Sequence, residues 1–337
     1  MNVSDFQYGL PPEAIAQSAV EPRHDSRLLD TRGMTDHRFL DLPGLLDDGD
    51  LVILNETRVR AARLTGTRHL TGGVVELLIL ERKGDRIYEA LAKPARRLRP
   101  GIVLEVGGAR AEVVEALGDG VVLVVFDTDR PEVLFEEAGS IPLPPYFTGS
   151  LPNAERYQTV YARTTGSAAA PTAGLHFTTE VLDGLRERGV TVAGVDLHVS
   201  LDTFRPMTVE KIEDHVMHSE WCSVPESTAV AVGKARLRGG KVIAIGTTAV
   251  RALETHADGE GGVRPGKGPT TLFLRPGTPT TVVDLLVTNF HLPGSTLLVL
   301  LETFMGPGWR EAYEIALLRG YRFLSFGDAM LAQRAGL

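Results

Sequence analysis

Between Ala61 and about Asp129 the sequence changes its period, and this interruption limits the fold more than any other feature. Short apolar runs alternate there with turn residues. Val74–Leu80 ends near Lys83-Gly84-Asp85, Ile102–Val106 meets Gly107-Gly108, and Gly118-Asp119-Gly120 separates Ala111–Ala116 from Val121–Phe126. Several short strands at this spacing predict a small barrel or sandwich. Ile141-Pro142-Leu143-Pro144-Pro145-Tyr146 then forms a stiff connector, because consecutive prolines donate no ladder hydrogen bonds. On either side the pattern is α/β. Asp50–Asn55, Val190–Leu197 and Lys241–Ile245 read as strands, and Ser227–Leu237 and Trp309–Leu318 as helices. Pro11–Ala16 reads as a helix start with proline in its first turn. The expected architecture is an α/β catalytic domain built from both chain ends, residues 1–60 and 146–337, with residues 61–145 inserted as a small β-barrel. A length of 337 residues suits two such units. His256–Gly268 is glycine-rich and charged, and reads as a mobile loop.

The single cysteine, Cys222, excludes an intrachain disulfide and a cysteine-rich metal site and fits a reducing cytosol. No apolar signal segment is readable at the start, and no apolar run reaches the length of a membrane span. A cytoplasmic protein without membrane contact is expected. The net charge of −8 argues against binding nucleic acid over the whole surface. Locally the balance reverses: from Arg58 to Arg99, nine Arg and two Lys stand against four acidic residues, a possible phosphate-facing surface.

Five segments carry candidate chemistry. In Ala168–Phe177, small residues with Pro171, Thr172, Ala173 and Gly174 precede His176 and a helical pattern, so the loop is expected at a helix N-terminus, a seat for an anion. Asp214-His215-Val216-Met217-His218-Ser219-Glu220 sets two histidines between carboxylates. Without a third ligand nearby this suits acid/base work better than a metal. Gly246-Thr247-Thr248 ends a strand and precedes Arg251 one turn into a helix, at the edge where open α/β sheets bind ligands. Asn289 and His291 follow the apolar run Val282–Val287 and belong to the same edge. Tyr321-Arg322-Phe323 offers aromatic and cationic groups for a purine. Together these loops suggest one composite polar pocket.

These strings, in this order, resemble the S-adenosylmethionine:tRNA ribosyltransferase-isomerase family of queuosine biosynthesis. The likeness runs nearly end to end and includes Ser26-Arg27-Leu28-Leu29, Thr57-Arg58-Val59, Leu143-Pro144-Pro145-Tyr146 and Tyr157-Gln158-Thr159-Val160-Tyr161. It implies that S-adenosylmethionine is the cosubstrate, with no metal. The acceptor it implies is tRNA carrying 7-aminomethyl-7-deazaguanine in the anticodon. The products would be epoxyqueuosine, adenine and methionine, and a monomer is expected. Under this resemblance His215 or His218 is the base, oriented by Asp214 or Glu220, and His176 or His291 is the acid. Arg251 or Thr247 and Thr248 take the methionine carboxylate, and Tyr321 or Phe323 stacks on adenine. The chain departs from the family pattern at Ser200-Leu201-Asp202-Thr203-Phe204, Glu56, Arg60-Ala61 and Phe326, positions expected around the pocket loops. Such changes keep open a paralogue with another acceptor, or a silent RNA-binding relative. An ordinary methyltransferase is disfavoured because its glycine-rich strand-turn is missing.

Overall fold

The computed structural model describes residues 1–149, 151, 153–200 and 206–337. Two compact units divide the chain: Met1–Arg58 with Pro144–Leu337, and Val59–Leu143. Among the described residues the α-helices are α1 (Pro131–Ala138), α2 (Thr179–Glu187), α3 (Glu226–Leu237), α4 (Thr247–Thr255), α5 (Thr296–Met305) and α6 (Gly308–Leu318). None is long and apolar enough to cross a membrane.

The larger unit is built on a nine-stranded mixed sheet. Its middle is parallel: Thr191–Leu197, Leu51–Asn55, Val242–Ile245 and Leu285–Asn289 lie side by side in that order. The strands at 51–55, 242–245 and 285–289 are buried along their whole length, as parallel strands covered on both faces must be. Alternate residues serve opposite cores. Leu51, Ile53, Val242, Ala244 and Leu286 pack with the apolar faces of α3 to α6. Val52, Leu54, Ile243, Ile245, Leu285 and Val287 pack with Val181 and Leu185 of α2. Ala329–Gln333 joins antiparallel beside 285–289 and brings the C-terminal segment to the same sheet.

The inserted unit is a closed six-stranded barrel. Alternation makes it close: Val121–Phe126 and Ile87–Lys93 bury every second residue, so one face of the ribbon is apolar and curls inward. Tyr88, Phe126 and Phe135 meet edge to face inside, with ring centroids 5.0–5.8 Å apart. An α/β fold with an inserted small β-barrel is therefore the architecture.

Two local expectations change. Pro11–Ala16 forms a single 3-10 turn at Pro12–Ala14 and not a helix, because Pro11 is extended and Ile15 bridges to Phe323. The segment 256–268 is not a loop throughout. Ala257 bridges Val263, and Gly266–Thr270 is an edge strand paired with Glu220–Val224.

Candidate active site

The carboxyl ends of Val242–Ile245 and Leu285–Asn289 open at one sheet edge. Gly246 follows the first strand at φ +87° and ψ 153°, a region that only glycine occupies without strain. This turn starts α4 directly at the edge, and no side chain caps that helix. After the second strand the chain passes through His291 and Pro293 and enters α5 at Ser295, whose side chain also makes no cap bond. Two helix N-termini, each with its positive dipole end and free first-turn amides, thus face one cavity of about 590 Å³.

Ala170, Pro171, Thr172 and Ala173 form another wall. Their loop is compact: Thr172–His176 is a 3-10 turn, and a Cβ on Gly174 would run into the Tyr161 hydroxyl. Gly174 therefore supports the wall from behind. Helix α2 does not line the cavity, so the expected anion seat at its N-terminus is corrected. Its N-cap residue, Thr178, is hydrogen-bonded through Oγ1 to His24 Nδ1 at 2.8 Å, and the helix ends that reach the cavity are those of α4 and α5.

Three oxygens in the cavity wall have no hydrogen-bond partner: Thr248 Oγ1, Asn289 Oδ1 and Ser295 Oγ. Their residues are 8%, 3% and 2% exposed. Buried polar atoms are ordinarily paired, so three orphans on one wall mark a surface shaped for a polar ligand. Asn289 is oriented by its amide nitrogen, which donates to the Asp328 carbonyl at 3.2 Å and to His176 Nε2 at 3.1 Å. That leaves the His176 proton on Nδ1, where it meets Ser26 Oγ at 2.7 Å. The ring also stacks on Phe39, with centroids 5.0 Å apart. His291 lines the cavity and is held through Thr288 Oγ1 at 3.0 Å. Burial pushes both imidazoles down to about 3, helped at His176 by Arg156, Arg322 and Arg23. Both are uncharged at neutral pH, so neither supplies an imidazolium as acid.

The Asp214–Glu220 cluster is not a helical turn. Asp214 ends a 3-10 turn and is exposed, His215 lies with its ring 5.4 Å from Phe273, and Glu220 opens a strand. Only His218 and Glu220 meet, Nε2 to Oε1 at 3.2 Å. Burial acts to raise the Glu220 carboxyl, but His218 and Arg251 outweigh it and hold it below the usual carboxylate range. Arg251 and Glu220 form a buried ion pair, so the guanidinium expected to take a ligand carboxylate is already engaged within the protein. None of these five residues lines the cavity. The link to it is Ser200: its amide donates to Glu220 Oε1 at 2.7 Å, and its neighbour Val199 is a wall residue.

The C-terminal aromatics are core. Tyr321 is 1% exposed, donates to Asp36 Oδ1 at 2.7 Å and lies beneath Arg27, while Phe323 stacks on Phe290. Stacking of either ring on a purine is therefore corrected. Arg322 is anchored by Ser18 and Asp328 away from the cavity wall. What the segment does contribute is Leu324 and Ser325, the latter bonded to Tyr146 Oη at 2.5 Å. Ser295, Tyr146 and Ser325 were not singled out from the sequence. Ser295 carried a readable signal, a serine before an apolar helical run.

Among the described residues, Glu56, Arg60 and Phe326 do not line the cavity. Glu56 lies 3.5 Å from Arg163, and Arg60 donates to the Ile79 and Leu80 carbonyls inside the barrel unit. Phe326 packs on Phe147 and Tyr157. Leu201, Asp202, Thr203 and Phe204 lie outside the described residues. In the basic segment, Arg58, Arg63, Arg82, Lys83 and Arg86 all have carboxylate partners, whereas Arg96, Arg97 and Arg99 are exposed. Among the described residues, no group of three His, Cys, Asp or Glu side chains is arranged to hold a metal ion.

A cavity at the carboxyl ends of parallel strands, with a few unpaired oxygens in its wall, is a ligand site of the α/β class of proteins. The sequence model of the queuosine biosynthesis protein family matches residues 3–332, and the chain belongs to that family. It is 52% identical to the S-adenosylmethionine:tRNA ribosyltransferase-isomerase of Rubrobacter xylanophilus, over 100% of this chain and 99% of that protein. It is 50% identical to the enzyme of the same name from Symbiobacterium thermophilum, over 98% and 99% of the two chains. The crystal structure of S-adenosylmethionine tRNA ribosyltransferase from Thermotoga maritima is similar at a TM-score of 0.55 and 35% identity, covering 97% of this chain and 99% of that one.

Proposed function

We propose that this protein transfers and isomerises the ribosyl moiety of S-adenosylmethionine onto 7-aminomethyl-7-deazaguanine at the wobble position of tRNA. The products are epoxyqueuosine, adenine and methionine, and the enzyme works in the cytoplasm as a monomer without a metal. The observation that carries this reading is the trio of orphaned oxygens on Thr248, Asn289 and Ser295 between two uncapped helix N-termini. A donor with a carboxylate, an ammonium group and a purine offers partners for both kinds of site. The methionine carboxylate goes to the helix ends, which favour negative charge, with Thr247, Thr248 and Ser295 around it. Asn289 Oδ1 accepts an N–H of the donor, and Pro171 to Ala173 form the wall it lies against.

His218, beside Glu220 and outside the cavity wall, is the base for the carbon next to the sulfonium, where positive sulfur stabilises the developing negative charge. The ribose reaches it past Val199 and Ser200. A histidine held by a buried carboxylate keeps one ring nitrogen oriented and the other able to accept a proton. Arg251 acts through Glu220 and not on the substrate. His291, neutral in the wall, hydrogen-bonds the departing adenine, and His176 positions Asn289. Lys93, Arg96, Arg97 and Arg99 are the exposed part of the basic segment left to meet tRNA phosphates.

The test is mass spectrometry of products after incubation with S-adenosylmethionine and tRNA carrying the 7-aminomethyl-7-deazaguanine base. Adenine, methionine and an epoxyqueuosine nucleoside are expected in equal amounts. Adenine release without modified tRNA would mean a different acceptor. No adenine release by protein that binds the donor would remove the enzymatic reading altogether.

A further inference from the structure

Beside the cavity, and sharing Ser325 with it, lies a second, much smaller pocket that the reaction above does not use. Arg23, Arg156, Ser26 and His176 line it. Arg156 is fastened through Nε to Glu21 and through Nη2 to the Val20 carbonyl at 2.9 Å. Its Nη1 is buried with no acceptor, and the side chain as a whole is 11% exposed. Arg322, outside the lining, lies through Nη2 at 3.8 Å from Asp328 Oδ1, and that nitrogen has no hydrogen-bond acceptor. Arg23 donates to the carbonyls of Gln158 at 2.6 Å and Glu155 at 3.0 Å, and among the described residues no carboxylate lies within ion-pair distance of it. Two guanidiniums line this small pocket, and Arg156 keeps a buried donor with no acceptor, an arrangement that suits an oxyanion.

We propose that this pocket takes a backbone phosphate of the acceptor RNA next to the wobble nucleotide, and this rests on the function proposed above. A donor carboxylate has its own seat at the ends of α4 and α5, so the arginine pocket is left for the second substrate. A chain of net charge −8 needs a local cationic seat to hold a polyanion at a defined register. Its position suits that purpose. Ser26, His176 and Asn289 form one hydrogen-bonded chain, at 2.7 and 3.1 Å, from the arginine pocket to the orphaned Asn289 oxygen in the donor cavity. A phosphate bound at one end is thereby set in register with the donor bound at the other.

The experiment uses the full chain and an anticodon stem-loop RNA carrying the aminomethyl base, with affinity followed by fluorescence anisotropy over a range of salt. Arg156→Gln should weaken RNA binding roughly tenfold and lower the salt slope by about 0.7. Arg156→Lys should restore most of the slope. Donor affinity, measured without RNA, should hold in both. Independently of any variant, methylphosphonates placed one at a time on either side of the wobble nucleotide should reveal one position that costs the wild-type protein roughly tenfold and costs Arg156→Gln nothing more. An unchanged salt slope, or equal effects of every neutralised phosphate, would overturn the proposal. Loss of donor affinity in Arg156→Gln with RNA affinity intact would also overturn it, by giving the pocket to the donor carboxylate. A wild-type protein that binds the stem-loop but shows those results fails this proposal alone. One that neither binds the stem-loop nor releases adenine fails the function above as well.

Discussion

Ser295 occupies the N-cap of α5 without making the bond that position invites, and its hydroxyl is buried with no partner. Replacing an N-cap serine by alanine ordinarily costs about 0.5–2 kcal/mol. Here there is no cap bond to lose, so Ser295→Ala should leave unfolding free energy within about 0.5 kcal/mol of wild type. Donor binding should weaken several-fold, by about 1 kcal/mol. Urea unfolding beside calorimetric titration with S-adenosylmethionine measures both, and an unchanged donor affinity would take Ser295 out of the site. Glu220 behaves in the opposite way. Its ion pair with Arg251 is buried, both side chains being 6% or less exposed, so Glu220→Gln leaves an uncompensated cation. A loss of about 3–5 kcal/mol in stability is expected, together with loss of turnover. A variant as stable as wild type would show that the pair does not hold this edge together. From sequence, Arg251 beside Gly246-Thr247-Thr248 read as a ligand-binding cation. That its partner would be Glu220, 31 positions earlier, depends on a strand pairing that residue spacing does not contain.

At the scale of elements, the turn at Gly246 sets where α4 begins. Its φ and ψ are accessible to glycine alone, although a Cβ there would meet only ordinary contacts with Thr248 and Ala173. The cost of Gly246→Ala is therefore backbone strain, about 1–3 kcal/mol, and relief of that strain would rotate the first turn of α4 out of the cavity. A lowered melting temperature with a raised KM for the donor is expected. A lowered melting temperature with an unchanged KM would show that the helix end takes no part in binding. The strands on either side were legible: Val242–Ile245 and Leu51–Asn55 are continuous apolar runs, which suit strands covered on both faces. The C-terminal Tyr321-Arg322-Phe323 was misread for the same physical reason. An aromatic run looks alike whether it faces a ligand or a core, and Phe290, Tyr313 and Tyr8 supply the core.

For the molecule as a whole, the two buried histidines tie stability to pH. His176 and His291 are held neutral when folded, with values of about 3, whereas an unfolded imidazole titrates near 6.5. Below 6.5 the unfolded chain therefore binds more protons than the folded one, and stability falls as pH falls toward 3. With both rings contributing, the expected slope is about 2.7 kcal/mol per pH unit in that window, and no slope from these groups above it. Urea midpoints at pH 7, 6 and 5 test this. His291→Gln should halve the slope, and a flat profile in wild type would mean that the rings are protonated when folded.

That an α/β unit is built from both chain ends, with a barrel inserted between them along the chain, was contained in the sequence. The periods differ, from two in Val121–Phe126 to buried runs in the central sheet, and a prolonged change of period can be satisfied only by a separate core. So was the identity of most cavity-wall loops, since Gly246 and Pro171 are residues that a sheet edge and a tight turn require. The tertiary structure alone decided which side chains already had partners. Arg251 and Tyr321 have carboxylate partners within the protein, whereas Thr248, Asn289 and Ser295 keep an oxygen unpaired. Hydrogen-bond saturation is a property of neighbours brought together from distant parts of the chain, and no local pattern encodes it.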